Sequence, residues 1–206
     1  MVTLKPLLLM TAPPLETSGP AVVDPVVRAG LSPQRTLALA SAELIAGDPA
    51  ALDRLAWVRS VASSTSVWPE VVHPRTGGGS RGDGHHLPTG ADLLTFIRDL
   101  LVRDTDDGLV LCSVLPPAWL GQGFEVHDLP TGWGRLSYAV RWHGERPALL
   151  WELDPHPGCP PARLTAPGLD PSWVGHELRG DALLAAPVVS GSRVTVPPTR
   201  SPGSFS

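Results

Sequence analysis

Residues 68–84 read Trp-Pro-Glu-Val-Val-His-Pro-Arg-Thr-Gly-Gly-Gly-Ser-Arg-Gly-Asp-Gly, and no other stretch of this 206-residue chain gathers so many groups able to do chemistry. Glu70 is a lone carboxylate after a Trp-Pro pair. On a loop facing a pocket, such a group can act as general base for a water molecule. The plain alternative is a solvated glutamate, or one paired with Arg75. His73, Arg75, Asp83, His85 and His86 follow within a few residues, and side chains of these types can hold and orient a polar ligand.

His73, His85, His86 and Asp83 are also metal-ligand types. Their spacing is not that of a helical His-x-x-x-His pair, however, and adjacent histidine side chains diverge. Ligand positioning is therefore expected, with no metal and no cofactor. The glycines of 77–84 lack a following Gly-Lys-Ser/Thr and do not follow a strand, so a phosphate loop is not expected. They read as sites of positive φ where backbone can approach a ligand closely. Arg81-Gly82-Asp83 spells an adhesion tripeptide, taken as a chance match. No serine or cysteine nucleophile is arranged, and Cys112 in its apolar run reads as an inert core thiol.

The elements that must position this segment are helical. Ser32 can cap a helix with Pro33 at its first position and Leu37, Ala40, Leu44 and Ile45 on one stripe. Gly47 ends it. Asp48 and Pro49 start a second helix, with Leu52, Leu55 and Ala56 on one side, running to about Val61. Beyond the glycines, Thr89 with Asp92 three residues on makes a capping-box-like start. Leu93, Phe96, Ile97, Leu100 and Leu101 then recur at helical spacing to about Arg103.

The period changes after a turn at 104–108. Residues 109–114 read as a strand, and Leu136, Tyr138, Val140 and Trp142 alternate with polar or small residues. Leu149, Trp151 and Leu153 do the same after the turn at 143–145, a hairpin signature. Shorter strands are expected near 124–127, 163–166 and 183–189. The predicted organisation is an irregular lead-in over 1–30, a helical part over 31–105 carrying the polar loop at 68–88, a β-rich part over 106–190, and a disordered stretch over 191–206.

Composition narrows the function classes. The formal charge of −4 leaves no broad basic surface, so neither nucleic acid nor an acidic membrane is an expected partner. Seven tryptophans against three phenylalanines and one tyrosine is an unusual mix. An indole offers a flat face for sugar stacking, or simply packs in a core. Cys112 and Cys159 form no Cys-x-x-Cys pair, which argues against a zinc knuckle or a disulfide framework. The apolar stretch at 7–10 is too short for a secretory segment or a membrane span, so a cytoplasmic location is expected.

The segment Trp68-Pro-Glu-Val-Val-His-Pro-Arg-Thr-Gly-Gly-Gly resembles the late part of the six-hairpin glycosidases, the (α/α)6-toroid group that includes glucoamylases and trehalases. The stretch 109–153 resembles the β-sandwich that follows the toroid in bacterial members. The resemblance implies an α+β chain: the last helical hairpins of an incomplete (α/α)6 toroid, then an antiparallel β-sandwich-like unit. It implies Glu70 as the catalytic base of an inverting glycoside hydrolase, with Trp68, His73, Arg75, Asp83 and His86 binding a carbohydrate such as an oligosaccharide or glucoside. A toroid of that kind has twelve helices, so the general-acid half is missing. The implied protein is then a fragment, silent alone, with a possible partner chain supplying the rest of the toroid.

Two other classes follow from the residues. One is a non-catalytic carbohydrate-binding or accessory module using Trp119, Trp133, Trp142 and Trp151. The other is a structural subunit, which predicts exposed apolar helix faces at 37–45 and 93–101.

Overall fold

The computed structural model describes residues 30–187; all but the last residue of the expected lead-in over 1–30 and the whole expected disordered stretch over 191–206 lie outside them. Helix α1 spans Pro33–Ile45 and α2 spans Ala50–Ser60. A small hairpin follows, β1 (Val71–Val72) and β2 (Gly79–Arg81), then helix α3 over Leu87–Leu101. Eight further strands complete the described chain: β3 (Val102–Thr105), β4 (Gly108–Leu111), β5 (Phe124–Pro130), β6 (Gly134–His143), β7 (Arg146–Pro155), β8 (Arg163–Ala166), β9 (Asp170–Gly175) and β10 (Arg179–Leu183).

The starts of α1 and α2 follow the local chemistry. The Ser32 hydroxyl accepts from the Arg35 N–H, and Asp48 Oδ1 accepts from the Ala50 N–H at 2.9 Å, so side-chain oxygens satisfy orphan donors of each first turn. Leu37, Ala40 and Leu44 on α1 and Ala51, Leu55 and Val58 on α2 are buried. The two helices pack together with Arg54 Nε donating to Glu43 at 2.7 Å, and α3 packs on α1. The third start differs from expectation. α3 begins three residues early, with His86 rather than Thr89 at the cap position and Leu87 as its first residue, and Thr89 is fully buried with its hydroxyl 2.9 Å from His86 Nδ1. A threonine committed to that contact inside the first turn cannot cap.

The toroid expectation fails. Among the described residues there are three α-helices and ten strands in three small sheets, about 27% helix against 35% strand. A toroid needs successive helical hairpins, and here the chain passes straight from the last residue of α3 into β3, whose residues pair with β4. Nor is the strand-rich half purely antiparallel. One sheet has the order β10-β7-β6-β5, all antiparallel, while the other has the order β3-β4-β8-β9 with β4 and β8 parallel. The long β6/β7 hairpin matches the alternation in the sequence: Leu136, Tyr138 and Val140 pair with Leu153, Trp151 and Leu149, all buried.

The parallel pairing explains one glycine. A Cβ on Gly108 would sit 1.9 Å from the Arg163 carbonyl oxygen, so β4 and β8 can lie this close only if residue 108 has no side chain. The strands also finish α3. Its last carbonyls, which no helical N–H reaches, accept from the Cys112 and Ser113 N–H groups, from the Ser113 hydroxyl and from the Tyr138 hydroxyl, which meets the Leu101 oxygen at 2.9 Å. One hydrophobic cluster runs from Leu37 and Leu44 through Phe96 and Leu100 to Leu136, Leu164 and Leu184. The helices and sheets share that core.

Candidate functional site

The segment that drew attention in the sequence forms a bracket at the surface. Its hairpin β1/β2 hangs from the start of α1 by two backbone bonds, Leu31 N–H to Val72 O and Val72 N–H to Leu31 O. Trp68 is its buried anchor. The Trp68 indole donates at 2.8 Å to the carbonyl of Val58, one of the last carbonyls of α2, and its own carbonyl accepts from the His86 N–H at 2.7 Å. This tryptophan closes a helix end and is 6% exposed. It offers no stacking face.

Glu70 is ion-paired with Arg81 across the hairpin, not with Arg75. The hydrogen bond from the Arg81 guanidinium, aided by its charge and that of His86, outweighs desolvation and holds the Glu70 carboxyl below its ordinary value. A general base working near neutrality gains from a raised pKa, and the environment of Glu70 pushes the other way. Gly82 has φ +88°, and a Cβ there would meet the Glu70 backbone nitrogen at 3.0 Å. The close approach expected of these glycines is real, but it is to the chain itself.

The remaining residues are spent in the same way. His73 Nδ1 accepts from the N–H groups of Arg75 and Thr76, and its carbonyl accepts from Gly77 at 2.9 Å. Asp83 Oδ1 accepts from the His85 N–H at 2.9 Å, and Arg75 is exposed. The fold thus brings Trp68, Glu70, His73 and His86 to one bracket, and neither the cleft lined by Asp48, Leu52 and Pro167 nor the smaller one lined by Leu31, Arg54 and Trp57 includes a residue of 68–86. No group of three or more metal-ligating side chains occurs among those residues. No helix among them is long and apolar enough to cross a membrane.

The tryptophans proposed as a sugar platform are tied down too. The indoles of Trp133, Trp142 and Trp151 donate to the carbonyls of Thr105, Gln122 and Glu177. Trp119 is 3% exposed and packs on Phe124 at 4.6 Å between ring centres. Burial pushes the Cys112 thiol up to about 12, which makes it inert.

Two features lie outside the bracket, and only the first escaped sequence reasoning. The first is a cleft of about 770 Å³ between the start of α2, the turn at 113–120 and the turn near 167–171. Its walls come from three distant stretches and Pro187, which share no motif, and only the local density of prolines hints at them. The second is the set of side chains that the helices turn outward. Leu39 and Ile45 on α1 are 47% and 59% exposed, and Leu87 and Leu94 on α3 are 82% and 70% exposed. No family model, curated protein or solved structure matches this chain.

Proposed function

We propose that the protein is a non-catalytic association module that buries the outward faces of α1 and α3 against a protein partner. The observation that carries this reading is the composition of those faces. On α1 the exposed positions Ala38, Leu39, Ala42 and Ile45 recur at helical spacing, and on α3 so do Leu87, Ala91 and Leu94. A helix on a solvated surface ordinarily turns charged or polar residues outward and its apolar stripe inward. Here both sides of each helix are apolar, and contiguous exposed apolar surface marks an interaction site.

The carboxylate chemistry supports the same reading from the other direction. Glu70 is held as an ion pair and its neighbours organise backbone turns, which favours a scaffold over a reaction centre. The test is substitution on the outward stripes. L39E with I45E, and separately L87E with L94E, should reduce binding of an apolar dye and reduce self-association by sedimentation, while the melting temperature stays at the wild-type value. Unchanged dye binding and unchanged sedimentation in both double variants would end this reading.

A further inference from the structure

We infer that the outer edge of β10 pairs antiparallel with the same edge of a second copy of this chain, with the two-fold axis at Gly180. The two edges of the sheet β10-β7-β6-β5 are built differently. β5 is blunted: its register shifts between Val126 and Leu129, Asp128 has φ 50°, and Pro130 ends it. β10 has no proline, and its residues pair with β7 in unbroken register. Among the described residues no strand pairs with its other side.

Alternation fixes which backbone groups that edge presents. The Leu178 carbonyl accepts from the Leu153 N–H, and the Leu184 N–H donates to the Pro147 carbonyl. In the register of β10 on β7, residues 178, 180, 182 and 184 are therefore the ones bonded to β7. In an antiparallel ladder the intervening residues turn their N–H and C=O groups the opposite way. Arg179, Asp181 and Leu183 thus point theirs away from the sheet.

Charge selects the occupant and the register. Two such edges exchange hydrogen bonds only where outward residues meet outward residues. An axis at 179 or 181 sets like charges opposite each other, which destabilises a strand pair. An axis at 182 or 183 leaves Asp181 with no cation opposite. An axis at Gly180 sets Arg179 opposite Asp181 of the second copy, twice, with no side chain at the axis itself. Asp181 makes no ion pair among the described residues, and the Arg179–Glu152 pair is exposed on both sides. The five donors of a guanidinium let Arg179 serve both carboxylates.

Charged side chains on an edge ordinarily discourage pairing. An arginine and an aspartate two positions apart do the reverse here, because they make the strand complementary to itself. On the other face exposed Leu178 comes opposite Ala182 of the second copy, which covers apolar surface. So short an edge makes a reversible dimer, well below the size of an obligate interface. It shares no residue with the outward faces of α1 and α3, and the pairing does not depend on the association proposed for them.

Sedimentation equilibrium over a dilution series tests the pairing, with circular dichroism melting to confirm that each variant folds. Wild type should pass from monomer to dimer as concentration rises. D181R and R179D each set like charges across the axis and should each raise the dissociation constant at least about tenfold. An equimolar mixture of the two should restore the dimer, because each strand then faces opposite charges. Contacts through the helix faces give no such rescue. A wild type that stays monomeric, a dimer unchanged in D181R, or a mixture that fails to recover would overturn the inference. Should R179D not fold beside Glu152, amide exchange in the wild type carries the test. The Arg179 and Asp181 amides should slow with rising concentration, while that of Gly180, already bonded to β7, should not. Exchange at 179 and 181 that ignores concentration would overturn it as well.

Discussion

The polar bracket 68–86 and the strand-rich half that follows it spend their side chains in opposite ways. In the bracket, a glutamate, two histidines and an aspartate sit at or near the surface and hold backbone groups or one another. In the strand-rich half, most of the weight is apolar, and several buried polar groups close a specific gap, although the Trp119 indole N–H and Arg103 Nε are buried without a partner. Tyr138 reaches the end of α3, Thr131 ties the β5/β6 turn, and Asp170 ties the start of β9 to the chain at Ala185. The lesson is that density of chemically capable residues does not locate a site. The cleft of about 770 Å³ is walled by residues outside the bracket.

If that contrast is sound, substitutions in the strand-rich half should be severe and those in the bracket graded by burial. The largest effect is expected at Gly108, where a methyl group would strike the Arg163 carbonyl at 1.9 Å. G108A should cost roughly 3–5 kcal/mol and leave little folded protein in a denaturant titration. A loss below about 1 kcal/mol would show that β4 and β8 can separate cheaply, and the contrast would break.

Asp170 comes next. Hydrogen bonds from the Ser172 hydroxyl, and from the N–H groups of Ala185 and Ser172, hold its carboxyl below the ordinary value against the opposing effect of burial. A folded value below the unfolded one means the contribution is fully present above the unfolded value of about 3.9. It is lost as pH falls through the folded value. D170N should therefore cost about 1–3 kcal/mol at pH 7 and progressively less below pH 4. A pH-independent deficit in urea titrations would mean the charge itself does no work there.

Trp68 sharpens the comparison from inside the bracket, because it is the one bracket residue with a buried hydrogen bond to a helix end. W68F should cost about 1–3 kcal/mol by leaving the Val58 carbonyl unpaired. The smallest effect is expected at Glu70. E70Q removes an exposed ion pair and should leave the melting temperature where it is. A clear drop in melting temperature, or a glycosidase activity that E70Q abolishes, would restore the carboxylate to the centre of the molecule.

Legibility followed the range of the interactions. The cap of α1 at Ser32, the Asp48 start of α2 and the β6/β7 hairpin are local or strictly periodic, and each was readable to within a residue or two. The start of α3 was misread because Thr89 faces His86 rather than capping, and that choice depends on which face of the turn is buried. Strands β1, β2, β3 and β9 are short, carry no clean alternation, and were missed, and β10 lies over Arg179–Leu183 where a strand near 183–189 was expected. β1 and β2 are held by the backbone anchor at Leu31, which is not a pattern in the sequence.

By itself, then, the sequence determined where α1 and α2 begin, where the period shifts from helix to strand, and which residue types could act. Those properties depend on neighbours within a few positions. Only the tertiary structure decided that the histidines hold turns, that Glu70 pairs with Arg81, that α1 and α3 are apolar on their outer sides as well, and that residues from 48, 113 and 167 onward enclose a cleft. Each of those outcomes is a contest between partners far apart in the chain, settled by which groups lose water when the core closes.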